Sequence, residues 1–120
     1  MQMLKYLPMF TEQKLMEIKG KFAKNDNRTQ LIFEALGDPG RFRIFKLLMD
    51  HHELCVTEVA FILDVTVSAV SQQMKILERV GLIERIKMGQ MVCYEIKDTE
   101  EAKQMMRVLK VDTKVDINNQ

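Results

Sequence analysis

The chain has 120 residues, enough for one compact domain, and 47% of them are apolar, so a core is available and wholesale disorder is excluded. Its net charge of +1 neither demands nor excludes a nucleic-acid partner, which needs a local basic face rather than a basic total. No apolar run approaches the ~20 residues that span a bilayer, and residues 1–10 lack the small-residue cleavage site of a signal peptide. The expectation is a cytoplasmic protein with no membrane partner. Two cysteines, Cys55 and Cys93, are too few for a disulfide scaffold and fit a reducing compartment.

Thr11 is placed to cap a first helix reaching about residue 24, with Leu15, Ile18 and Phe22 on one stripe. Asn25-Asp26-Asn27 breaks the chain before a second helix at 28–36, whose apolar positions are Leu31, Ile32, Ala35 and Leu36. Asp38 followed by Pro39 is a helix start, and opens a third helix over 40–49. Residues 50–53 read as a polar connection. Thr57 caps a short helix at 58–63, and Asp64, a residue that tolerates the left-handed conformation, turns the chain. Thr66 caps a longer helix that runs to Val80 and is stopped by Gly81. Then the period changes. Segments 82–86 and 91–96 alternate partially around a glycine-containing link at 87–90, the pattern of a β-hairpin. Asp98-x-x-Glu101 reads as a capping box for a last helix with Ala102, Met105, Met106, Val108 and Leu109 inside, followed by a polar, frayed tail at 112–120.

The expected fold is therefore mostly α with a small β-hairpin, in the order α-α-α-α-α-β-β-α. One domain spans 1–120: terminal helices at 11–36 and 99–111, a helical core at 38–80, and a hairpin at 82–97. A helix, a short turn, a second helix and a hairpin make a winged helix-turn-helix, whose second helix enters the DNA major groove. Such a helix needs one apolar stripe to hold it and an opposite face of short polar and cationic side chains. Val70, Met74 and Leu77, at i, i+4 and i+7, supply the stripe. The expected DNA contacts are Thr66, Val67, Ser68, Ser71, Gln72, Gln73, Lys75 and Arg79 on the helix, with Arg85, Lys87 and Gln90 on the hairpin. The bases fall to Ser68, Ser71 and Gln72, the phosphates to Lys75 and Arg79, and backbone positioning to the hairpin. Acidic residues are absent from the first three turns of that helix. A surface helix with no ligand would share its periodicity; a protein-interaction module without DNA binding would be marked by acidic or apolar replacements on the Ser68 to Arg79 face. Catalysis has no support: there is no glycine-rich phosphate loop and no serine, histidine and acid set, and no cofactor is expected.

Several segments, in order, resemble the ArsR/SmtB family of winged-helix repressors. Ala35-Leu36-Gly37-Asp38-Pro39-Gly40-Arg41-Phe42-Arg43-Ile44 is similar to its A-L-x-D-P-x-R-x-x-I opening, and Glu53-Leu54-Cys55-Val56-Thr57-Glu58-Val59-Ala60 to its E-L-C-V-C-D-L segment. Val70-Ser71-Gln72-Gln73-Met74-Lys75-Ile76-Leu77 is similar to V-S-x-H-L-K-x-L, and Gly81-Leu82-Ile83 with residues 89–94 to the G-L-V and G-x-x-V-Y-Y wing. The resemblance covers about residues 30–97. It implies a homodimer held by the first and last helices (Leu15, Ile18, Phe22, Met105, Met106 and Leu109) on a near-palindromic operator in double-stranded DNA, acting as a repressor. It also implies places to look for an effector. Cys55 matches the first thiolate of the family's C-V-C metal site, but Thr57 stands at the second, and the last helix has no histidine for the family's other site. No metal is expected, with Cys55 the weak candidate, and a thiol switch between Cys55 and Cys93 is an alternative. Gln73 replaces the family's common histidine, and Val67 offers an apolar contact for a thymine methyl.

Overall fold

The computed structural model describes residues 9–24 and 27–118, with side chains described as far as residue 110. Six helices and three strands follow in the order α1 (Glu12–Ala23), α2 (Arg28–Leu36), α3 (Pro39–His51), β1 (Glu53–Cys55), α4 (Val56–Leu63), α5 (Val67–Arg79), β2 (Ile83–Met88), β3 (Met91–Ile96) and α6 (Glu100–Asn118). The expected fold class holds. Among the described residues no helix is long and apolar enough to cross a membrane.

Local chemistry explains most boundaries. Thr11 accepts a hydrogen bond from the Lys14 amide and starts α1. Asp38 accepts from the Arg41 amide at 3.1 Å, with Pro39 in the first turn of α3, where its missing N–H costs nothing. Asp64 takes the left-handed conformation (φ 55°, ψ 49°) that ends α4, and Thr66 Oγ1 accepts from the Ala69 amide at 3.1 Å to begin α5. Only three residues therefore separate α4 from α5. Met88 pairs with Met91 across a two-residue turn in which Gly89 has φ +67°, the conformation that a first turn residue of type II′ requires.

Four expectations are corrected. Residues 53–55, read in part as a polar connection, form β1, which pairs antiparallel with β3 and makes a three-stranded sheet of order β1-β3-β2. Thr57 is not the cap of α4: the helix starts earlier, with Cys55 at the cap position, its amide donating to Glu58 Oε1 at 2.8 Å. Thr99, not Asp98, caps α6 by accepting from the Ala102 amide at 3.2 Å. Asp98 instead pairs with Lys103 at 3.1 Å and Glu101 with Arg28 at 2.9 Å. Finally, α6 continues to Asn118 where a frayed tail was expected; residues 119 and 120 lie outside the described set, as do Met1, Met3, Asn25 and Asp26.

One core joins these elements. Ile44, Phe45 and Leu48 of α3, Val59 and Ala60 of α4, Val70, Met74 and Leu77 of α5, Leu82 just before β2, Ile83 and Tyr94 of the sheet, and Ala102 of α6 are buried together. The helix α1 contributes nothing to that core: it has no buried residue. The radius of gyration is 19.9 Å, against about 14 Å for a compact chain of this length, so part of the chain stands away from the core.

Candidate nucleic-acid interface

The α5 helix divides as its sequence demands. Val70, Met74 and Leu77 are each no more than 1% exposed, and burying three such side chains contributes about 1.5–3 kcal/mol apiece. That stripe fixes the helix on the domain. Thr66, Val67, Ser68, Gln72, Lys75 and Arg79 are exposed, and Ser71 is half-buried. On the hairpin, Arg85, Lys87 and Gln90 are exposed. Arg85 and Lys87 alternate on β2, opposite Tyr94 and Val92 of β3, and therefore project from one face of the hairpin.

Between α5 and the hairpin lies an open cavity of about 390 Å³. Ser71 and Lys75 line it from the helix, Arg85 and Gln90 from the hairpin, and Thr57 from the start of α4. The structure thus brings residues of both predicted clusters to a common concave surface with two cations and no carboxylate on its wall. Thr57 was missed as a site residue, because its place on that wall depends on where the hairpin packs. Arg79 is elsewhere: it borders a cavity with Leu31, Glu34 and Arg41, on the α2 side of α5.

Gln73 was expected to face DNA, and the structure engages its amide within the domain. Arg41 Nη1 donates to Gln73 Oε1 at 2.8 Å, and Gln73 Nε2 donates to Asp38 Oδ2 at 3.4 Å. The same guanidinium donates from Nε to the Ala35 carbonyl at 2.7 Å. A half-buried network therefore ties the start of α3 and the end of α2 to the middle of α5. Sequence reading had no signal for it beyond the Asp38 to Arg41 spacing.

Tyr94 is a second residue that sequence reading passed over. It is 2% exposed and lies close enough to Glu78 at the end of α5 and to Arg85 on β2 for their charges to act on its hydroxyl. Burial raises its pKa above the ordinary 10.0, and the neighbouring Glu78 carboxylate adds to the rise, while Arg85 opposes it. Tyr94 therefore sits buried where α5 meets the hairpin.

The sulfurs of Cys55 and Cys93 are bonded to each other. The two residues are direct cross-strand partners on β1 and β3. Cys55, the weak metal candidate, is 8% exposed and borders the cavity between α5 and the hairpin. Its sulfur is already engaged, and no group of three potential metal ligands occurs among the described residues.

The sequence model of the bacterial regulatory protein, arsR family, matches residues 38–85. The cadmium resistance transcriptional regulatory protein CadC of Listeria innocua is 33% identical over 88 residues, 72% of this chain and 74% of that protein. The chain belongs to the ArsR family. Another relative of this ArsR-family regulator is the transcriptional activator HlyU of Vibrio cholerae, 34% identical over 72% of this chain and 78% of that one. The solved structure of reduced HlyU from the same organism superposes with a TM-score of 0.65 at 31% identity, covering 74% of this chain and 92% of that one. The ArsR-family chain is accordingly a winged helix-turn-helix regulator of the DNA-binding type, with α4 and α5 as its helix-turn-helix and β2–β3 as its wing.

Proposed function

We propose that the chain acts as a homodimer on a near-palindromic operator, with α5 in the major groove and the wing on the backbone, and that it represses transcription there. The observation that carries this reading is the α5 helix: a fully buried anchor stripe behind an exposed Ser68, Gln72 and Lys75 face, with the wing cations Arg85 and Lys87 beside it. Ser68, Ser71 and Gln72 read base edges, and Val67 meets a thymine methyl. Lys75, Arg85, Lys87, Gln90 and the Thr66 end of the helix contact the backbone. Arg79 reaches phosphate from the α2 side. Gln73 acts indirectly, bracing α5 through Arg41.

Dimerisation is supported by what the single chain leaves uncovered. Ile18 and Phe22 of α1, Leu31 and Phe33 of α2 and Val108 of α6 are exposed, while Leu15, Met105, Met106 and Leu109 are half-buried at the same ends of the chain. A second copy covers these surfaces and sets two α5 helices about 34 Å apart, one DNA turn. Repression fits one relative, described as a transcriptional repressor SmtB homolog from Synechocystis, 31% identical over 76% of this chain. A cadmium response of the kind in the CadC name is not supported, because Thr57 gives no thiolate and the Cys55 sulfur is bonded to Cys93. That bond favours a thiol signal among the possible effectors.

The test is a salt titration of binding to duplexes from the chain's own promoter. Affinity should fall steeply with salt, and Lys75→Ala should make the slope shallower by about one. Absence of binding at low salt would favour an interaction module that has lost DNA.

A further inference from the structure

We propose that Cys55 and Cys93 form a redox-modification site for a small hydroperoxide, and that the state of this pair sets where the wing stands relative to α5. The proposal rests on the DNA-binding reading above and extends it to control of that site. A protein that works on DNA sits in a compartment where disulfides are as a rule transient, and serve catalysis or redox sensing rather than scaffolding.

The two cysteines are unequal in a way that assigns their roles. Cys93 is fully buried in the central strand, whereas Cys55 is 8% exposed and borders the cavity between α5 and the wing. An oxidant small enough to enter meets Cys55 first. Cys55 also occupies the cap position of α4, an eight-residue helix whose N-terminal dipole favours a thiolate, and Lys75 and Arg85 line the same cavity. Glu58, which accepts from the Cys55 amide, opposes them. Cys93, the direct cross-strand partner, is placed to resolve.

In the dithiol form the Cys55 thiolate attacks one peroxide oxygen. The S–O bond forms, the O–O bond breaks, and the departing oxyanion takes a proton. The Cys93 thiol then attacks the Cys55 sulfur; the S–S bond forms, the S–O bond breaks, and water carries off the Cys93 proton. Two electrons pass from the sulfur pair to the hydroperoxide, and a small dithiol reverses the step by exchange.

The consequence for the interface is mechanical. Unbonded sulfurs cannot remain at bonding distance, so reduction spreads β3 from β1 or turns a cysteine side chain. β3 is half of the wing, while α5 is held by its own buried stripe and by the Arg41 network. In the proposed switch the bond draws β3 toward β1 and the reduced pair lets it stand off, so that the two forms hold the wing and α5 at different separations and one duplex fits only one of them well.

The experiment uses the whole chain, reduced with a dithiol or treated with hydrogen peroxide. Free thiols, intact mass and binding to a promoter duplex are measured in parallel. Peroxide should consume both thiols together with loss of two hydrogens, and Cys93→Ser should trap a sulfenic acid that Cys55→Ser does not. The two forms should differ roughly tenfold in Kd, with the weaker form showing a salt slope lower by about one or two as Arg85 and Lys87 leave the phosphates. The double serine variant should bind equally with and without peroxide. Equal affinities of the two forms, or two free thiols after peroxide, would overturn the proposal. Failure of both forms to bind DNA, with the thiol chemistry intact, would locate the error in the DNA-binding reading and remove this proposal with it.

Discussion

Gln73→Ala separates a residue that braces the recognition helix from one that reads bases. The substitution deletes the 2.8 Å hydrogen bond from the Arg41 guanidinium and the longer contact to Asp38. A hydrogen bond to a charged group contributes about 1.5–3 kcal/mol. The site is half-buried, Arg41 keeps its bond to the Ala35 carbonyl, and water can reach part of the vacated space, so the expected loss is about 1–2 kcal/mol. Urea denaturation at one fixed protein concentration should report it as a lower midpoint with an unchanged m value. Binding should weaken by less than about tenfold, and equally for operator and random duplex, because a brace carries no sequence information. Stability unchanged to within about 0.5 kcal/mol, together with a changed operator preference, would refute the bracing role and return Gln73 to the DNA face.

Ser71→Ala and Gln72→Ala should do the opposite, lowering the ratio of operator to random affinity by about 1–3 kcal/mol per lost base contact while leaving the salt slope unchanged, as measured by competition binding. Phe22→Asp should shift the chain from dimer to monomer in sedimentation with little effect on fold, since Phe22 is 76% exposed in the single chain. Asp64→Val should destabilise by about 1–2 kcal/mol in urea melts, because a β-branched residue is forced into the left-handed region at φ 55°, whereas Asp64→Gly should be tolerated. The raised Tyr94 pKa means that the folded state holds its phenolic proton more tightly than the unfolded one. Its contribution is complete below the ordinary value of 10.0 and is lost as pH rises through the folded value. Tyr94→Phe should remove the late phase of the phenolate absorbance titration and flatten the stability loss above about pH 10.

The parts of this fold that were legible in the sequence are those decided within a few residues. Thr66, the Val70, Met74 and Leu77 stripe and Gly81 define α5 without help from elsewhere. Asp38 with Pro39 does the same for the start of α3, and Asp64 for the turn between α4 and α5. What escaped was decided at long range. The strand β1 is three residues long and exists because β3 pairs with it; the bonded cysteines lie 38 residues apart in sequence. The orientation of Gln73 is decided by Arg41, 32 residues away, whose guanidinium donates to the amide oxygen. Thr57 was a reasonable cap by residue type, but β1 brings the chain into the helix at Cys55, and Glu58 then completes the start from inside.

The same distinction between local and long-range support separates the two halves of the interface. The α5 helix has a buried stripe, a threonine cap and a hydrogen-bond network to α3, so its position is determined several times over. The wing has less. β1 pairs only with residues 93–95, and beyond Cys93 the outer part of the hairpin, with Lys87, Met88, Gly89, Gln90, Met91 and Val92, is a two-stranded ribbon with exposed side chains. An isolated two-stranded hairpin is marginal in water. In the proposed complex the wing can therefore follow the backbone of the duplex that α5 engages, and its root at β1 and β3 is the point from which it is aimed. A bond placed at that root, between Cys55 and Cys93, acts on the adjustable half of the proposed interface and leaves α5 where the core holds it.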